Sequence, residues 1–196
     1  MSFKTINPYL AKVIKTYNYQ DITELYSVLD KVEKGFYSWK SLSILERGSY
    51  FRRLSKVFID NRHSFAKKIT EEMGKPYKES LAEIDKCVWL IDHFVENSEA
   101  YLKTINLKAD GETHNVSFDP LGVILSIMPW NFPFWQVMRF AVPTLLAGNT
   151  TIVKAAEETT DCGLLIQNAF KEAGFPDGVY EGVIASHNDI GLLIDK

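Results

Sequence analysis

The segment from 122 to 157 constrains the fold more than any other part of the chain. Gly122-Val123-Ile124-Leu125-Ser126-Ile127-Met128 is a short run, apolar on both faces. That is the pattern of a parallel-sheet strand covered by helices on both sides. Pro129-Trp130-Asn131-Phe132-Pro133 ends the run, a helix-like apolar stretch follows over 133–147, and after Gly148-Asn149 a second strand is predicted over 150–154. Parallel neighbours need a crossover, and the intervening helix supplies it. The alternation continues with a helix over 160–173, the turn Gly174-Phe175-Pro176-Asp177-Gly178, a strand over 179–184 and a helix from about Asn188-Asp189. The expected fold class is therefore α/β, with a doubly wound parallel sheet built by residues 120–196.

Residues 1–100 read as mainly helical after an extended start over 1–22 with Asn7-Pro8 as a turn. Ile22, Leu25, Tyr26, Leu29, Val32 and Phe36 recur at steps of three and four, with Gly35 as the expected stop. A second helix is predicted over 45–62, with Phe51, Leu54, Val57 and Phe58 on one face, and a third over 64–72, closed by Gly74 and Pro76. A fourth, over 79–99, carries the stripe Leu81, Ile84, Val88, Ile91 and Val95. The period then changes to two over 102–107 and 114–118, with Asp110-Gly111 as a turn, so 101–119 is expected to form a projecting hairpin.

Composition excludes several functions. With 196 residues the chain can build a real core, and its net charge of −3 comes from interspersed signs. No basic patch supports nucleic-acid or anionic-membrane binding, and the apolar stretches are too short to span a bilayer. The N-terminus lacks a signal-peptide pattern. Cys87 and Cys162 form no disulfide framework, and His63, His93, His114 and His187 have no metal-ligand spacing. A reducing, cytoplasmic setting and no metal are the expectation.

The chemistry-bearing residues cluster at the expected carboxyl ends of the strands, where open parallel sheets bind ligands. Lys154 ends the second strand and Glu157 follows three residues later. Together they can grip ribose hydroxyls, the lysine donating and the carboxylate accepting; a solvated surface ion pair is the plain alternative. Asn131, held between Pro129 and Pro133, can donate to a developing oxyanion or cap the following helix. Phe132, Trp135, Gln136 and Arg139 share one helix face. An arginine on an apolar, aromatic face calls for an anion, either a substrate carboxylate or a carboxylate elsewhere in the fold. No G-x-G-x-x-G follows the first strand, Gly74-Lys75 lacks the rest of a P-loop, and Cys162 near a helix start has no visible base, so it reads as structural.

With these residues in place, the chain resembles the N-terminal part of the aldehyde dehydrogenase superfamily, most closely its succinate-semialdehyde branch. The resemblance runs from Trp39, Arg47 and Glu72-Met73-Gly74-Lys75-Pro76 through Pro129-Trp130-Asn131-Phe132-Pro133, Ala147-Gly148-Asn149 and Lys154 to Gly174-Phe175-Pro176-Asp177-Gly178-Val179-Tyr180. It implies NAD(P)-dependent oxidation of a small aldehyde. In that chemistry a cysteine attacks the carbonyl, hydride passes to the nicotinamide, and water activated by a glutamate releases the acid. By the same resemblance Asn131 matches the oxyanion-stabilising asparagine. Met128, Pro129 and Trp130 match the cofactor wall, Lys154 and Glu157 the ribose pair, and Gly191 a small residue where a helix N-terminal turn meets the cofactor. Arg139 matches the arginine for the substrate carboxylate, with Phe132 and Trp135 along the substrate tunnel.

Ala155 replaces the family's usual proline, which is expected to loosen that loop, and Ala185-Ser186-His187-Asn188 departs from the family's glycine-containing stretch. Glu157 would repel a 2′-phosphate, so NAD is expected over NADP, although Lys154 suits either. The family's catalytic cysteine, general-base glutamate and partner strand for the hairpin have no counterpart within these residues. The expectation is thus a truncated cofactor-binding domain over 1–196, inactive alone, prone to self-association through exposed apolar surface, and homo-oligomeric in full-length form. The alternatives are an inactive NAD-binding or subunit-interaction module and the product of an interrupted gene.

Overall fold

A computed structural model describes residues 1–108 and 114–194. The chain opens with β1 (Ser2–Asn7) and β2 (Lys12–Asn18), which pair antiparallel. The turn between them forms at Asn7-Pro8 as expected, because the Asn7 Oδ1 accepts from the Tyr9 and Leu10 amides at 3.0 and 2.9 Å. Four helices follow: α1 (Ile22–Lys40), α2 (Ile44–Asp60), α3 (Arg62–Met73) and α4 (Tyr77–Tyr101). Capping boxes start the first two, Asp21 with Glu24 and Ser43 with Glu46. Gly74, at φ 77°, closes α3.

Gly35 does not stop α1, which runs five residues further, to Lys40. The glycine is there for close approach: a Cβ on it would lie 2.7 Å from the Gly178 carbonyl. Local propensity gave way to packing, since Trp39 beyond it is fully buried and donates from Nε1 to the Leu145 carbonyl at 2.8 Å.

The second hairpin pairs β3 (Ile105–Leu107) with β4 (His114–Val116), all exposed. The Asp110-Gly111 turn lies outside the described residues. Then come β5 (Val123–Ile127), α5 (Trp135–Leu146), β6 (Thr150–Lys154), a 3-10 turn (Glu157–Thr159), α6 (Thr160–Glu172), β7 (Tyr180–Val183) and α7 (His187–Ile194). The three strands form a parallel sheet in the order β5-β6-β7.

Two cores flank this sheet. One joins α2, α3, α4, α5 and α6 around Phe51, Phe58, Phe134, Met138 and Phe170. The other sets α1 and α7 against Ile152 and Val183 on the opposite face. The sheet is thus doubly wound, as the alternation predicts. One expectation is corrected: β5 is not covered on both faces. Among the described residues it is an edge strand, Leu121 and Ile127 are 89% and 55% exposed, and with Leu29, Phe36 and Leu193 they line a groove of about 880 Å3.

Candidate functional site

The carboxyl ends of the three strands gather most of the singled-out residues. Lys154 is the last residue of β6, in register with Ile127 and Val183. It is only 4% exposed, and among the described residues its ammonium reaches just the Ala155 carbonyl, at 3.5 Å. The Met128 amide donates to the Lys154 carbonyl at 2.9 Å, which fixes the start of the Met128-Pro129-Trp130 segment beside the end of β6. Pro129 and Trp130 are exposed.

Glu157 begins the 3-10 turn, half-buried, and accepts from the Tyr19 hydroxyl at 2.7 Å. Burial and this contact push the Tyr19 phenol up to about 12, so it stays a donor at neutral pH. Between Lys154 and Glu157, the Ala155 methyl packs closely on α6: a Cβ on Gly163 would sit 2.7 Å from it.

Asn131 is exposed, in a bend, and does not cap α5. That role falls to Glu83 of α4, whose Oε1 accepts from the Phe134 and Trp135 amides at 2.9 and 3.0 Å. The other oxygen of Glu83 pairs with Lys75 at 2.5 Å, deep in the protein. The Lys75 ammonium also lies 3.5 Å from the centre of the Phe132 ring. A buried ion pair therefore grips both flanks of the Asn131 loop and leaves the Asn131 amide without a competing cap.

Arg139 is exposed on α5 and has no ion pair among the described residues. The burial cost expected for it is therefore not incurred here, and no neighbouring carboxylate claims it. Trp135 is half-buried under the Lys86 ammonium, at 3.8 Å. Gly191 lies in the second turn of α7 rather than its N-terminal turn, and a Cβ there would meet nothing within 4 Å. The start of α7 is capped by Ser186, whose Oγ accepts from the Asp189 amide at 3.2 Å.

The sequence pattern of the aldehyde dehydrogenase family matches residues 1–195. The chain belongs to the aldehyde dehydrogenase family. A probable NADP+-dependent succinate-semialdehyde dehydrogenase of Synechocystis sp. is 35% identical over 184 residues, covering 94% of this chain and 40% of that protein. The NAD(P)+-dependent succinate semialdehyde dehydrogenase Sad of Escherichia coli is 35% identical over 190 residues, covering 97% and 41%. Among solved structures, the succinic semialdehyde dehydrogenase of Streptococcus pyogenes in complex with NADP+ superposes with a TM-score of 0.95 at 25% identity, covering 99% of this chain and 43% of that one. The chain thus spans about 40% of the length of the curated relatives it matches. Among the described residues no helix is long and apolar enough to cross a membrane.

Neither cysteine is placed as a nucleophile in this aldehyde dehydrogenase chain. Burial, then the neighbouring Glu72, pushes the Cys162 thiol well above its ordinary value, and burial does the same to Cys87. Glu72 itself is raised by burial, although it accepts from the Asp161 and Cys162 amides at 3.0 and 2.9 Å and so caps α6. Asp161 feels burial in the same direction, but the Tyr17 hydroxyl, Lys15 and Lys68 outweigh it and hold the carboxyl low.

Sequence reasoning missed Tyr19, Glu72, Lys75 and Glu83. Glu72 and Lys75 lie in the Glu72-Met73-Gly74-Lys75-Pro76 motif, which carries the family resemblance but no local sign of what either side chain holds. Glu83, next to Ile84 of the α4 stripe, was a charge facing the core, and that mismatch was the available signal. Tyr19 had none, because its partner lies 138 positions away.

Proposed function

We propose that this chain forms the cofactor-facing and oxyanion-bearing part of an NAD(P)-dependent aldehyde dehydrogenase acting on succinate semialdehyde or a similar carboxylated aldehyde. The observation that carries this reading is the nearly buried Lys154, without an anionic partner among the described residues, lining one cavity with Glu157 at the ligand-binding end of the sheet. A buried cation short of counter-charge is costly and suits an incoming polyol or phosphate.

The residues present fit a dinucleotide. Lys154 donates and Glu157 accepts at a ribose, Met128, Pro129 and Trp130 form a wall, and the open space over Gly191 lets a ligand approach α7. A bound nicotinamide would supply the hydride acceptor. The Asn131 amide, free of capping duty, is available to donate to the aldehyde oxygen as negative charge develops on it. Arg139, exposed and unpaired among the described residues, offers its fork to the distal carboxylate, with Phe132 and Trp135 alongside. The named relatives act on succinate semialdehyde, which supports the substrate class.

Two experiments test this. Calorimetric titration with NAD and with NADP is expected to show saturable binding, weakened about tenfold or more by Lys154→Ala, the worth of a charged hydrogen bond. Unchanged binding in that variant would remove Lys154 from the site. In a catalytically complete form of the protein, Arg139→Ala should raise KM for succinate semialdehyde at least about tenfold, since a charged hydrogen bond is lost, and leave an uncharged aldehyde of the same length nearly unaffected. Equal losses for both substrates would refute the carboxylate assignment.

A second reading, a non-catalytic dinucleotide-binding or subunit-interaction module, draws on the exposed apolar residues of the β3–β4 hairpin, Ile105, Leu107 and Val116. Association of the chain with a catalytically complete family member, lost on Ile105→Asp in the hairpin, would favour it.

A further inference from the structure

The N-terminal hairpin reaches the ligand-binding end of the sheet from outside the α/β unit. At its exit, two successive residues each hold a different cofactor-facing loop. The Tyr19 hydroxyl donates to Glu157 Oε1 at 2.7 Å, on the loop after β6. The Gln20 amide donates to the Ile184 carbonyl at 2.9 Å, and the Ile184 amide returns a bond to Gln20 Oε1 at 2.8 Å, on the loop after β7.

The Tyr19 ring is held in turn by Phe3 of β1, with centroids 4.9 Å apart. Phe3 also stacks on Tyr17, whose hydroxyl donates to Asp161 at the start of α6. Lys15 and Lys68 each sit 3.5 Å from that same carboxylate. The hairpin is thereby anchored independently of Glu157. Between it and the strand ends lies a cavity of about 20 Å3, lined by Phe3, Tyr19, Lys154 and Glu157 among others. That is room for about one water and no larger group.

We propose that Tyr19 is a positioning residue that orients the Glu157 carboxylate, and that the β1–β2 hairpin thereby sets the preference between NAD and NADP. This rests on the reading of Lys154 and Glu157 as a ribose site. A glutamate has three side-chain torsions, and an unrestrained one must be ordered on binding, at a cost in affinity. With Oε1 engaged by Tyr19, Oε2 has no partner among the described residues and is presented to the ribose. A fixed carboxylate accepts from a 2′-hydroxyl and repels a 2′-phosphate. Released from Tyr19, it can swing aside, so NAD loses an acceptor while NADP loses a repulsion.

The test is calorimetric titration of the chain with NAD and with NADP, in wild type, Tyr19→Phe, Tyr17→Phe, Glu157→Gln and Tyr19→Phe/Glu157→Gln. Tyr19→Phe removes one oxygen and keeps the ring on Phe3. It is expected to weaken NAD about fivefold, the worth of one hydrogen bond, and to leave NADP unchanged or tighter. Tyr17→Phe loosens the same hairpin at Asp161 and should leave the NAD-to-NADP ratio as in wild type. In the Glu157→Gln background, with the charge gone, adding Tyr19→Phe should no longer change the ratio. Equal changes for both cofactors, or none, overturn the inference while the ribose site stands. A wild-type chain that binds neither cofactor overturns the ribose site and this inference with it.

Discussion

Replacing Glu83 with alanine is expected to destabilise the chain by about 3–5 kcal/mol, the cost of removing one partner from a buried ion pair. The Lys75 and Glu83 side chains are 6% and 1% exposed, so water cannot take over for either. The loss is twofold. Lys75 keeps a buried charge with no counter-ion, and the Phe134 and Trp135 amides lose their common acceptor, the only described side-chain cap on the first turn of α5. Glu83→Gln should cost less, because its amide oxygen can still receive the two backbone donors. The double variant Lys75→Met/Glu83→Met should recover part of the loss, because no unpaired charge is left behind. Urea denaturation midpoints at constant slope measure all three. A loss under about 1 kcal/mol for Glu83→Ala would place this pair among surface ion pairs. The same variant should also weaken whatever the Asn131 loop does, since Glu83 and Lys75 are the described groups that grip both of its flanks.

The second large effect is expected at Gly178, which sits at φ 79° against α1. A Cβ there would lie 2.3 Å from the Lys31 carbonyl oxygen, and the Gly35 Cα is close by, at 3.4 Å. Gly178→Ala therefore adds backbone strain of about 1–2 kcal/mol to an overpacking cost of about 1–3 kcal/mol, for a total of about 3 kcal/mol or more. Gly174 separates the two terms. It has nearly the same φ, 78°, but a Cβ there would meet nothing nearer than the Arg53 side chain, at 3.8 Å. Gly174→Ala should show the backbone strain alone. Thermal unfolding of the two variants side by side gives the packing cost as their difference; equal losses would mean that α1 moves freely away from the turn.

These positions mark where local reading stopped. The helix at 22–40 was visible from its apolar spacing, yet its end was misplaced at Gly35, because that glycine serves a backbone contact with a turn that follows it by 143 residues. The strand over 122–128 was visible as an apolar run, but a run cannot say whether its neighbours are present. Among the described residues β5 lies at an edge, with Ile127 half open. The Asn131 ambiguity between oxyanion donor and helix cap was a matter of competition for one set of amides, and Glu83, 51 residues earlier than Phe134, had already taken them.

The amino-acid sequence by itself determined the α/β class, the order of strand and helix from 123 to 194, and the cluster of Lys154, Glu157 and Asn131 at one end of the sheet. Periodicity, turn residues and crossover geometry act over short stretches of chain and leave direct marks in it. Only the tertiary structure decided what holds those side chains in place. The Lys75–Glu83 pair, the Glu72 cap on α6 and the Tyr19 contact with Glu157 join groups 8 to 138 positions apart. Burial is what gives such contacts their strength, and burial belongs to the folded chain, not to any segment of it.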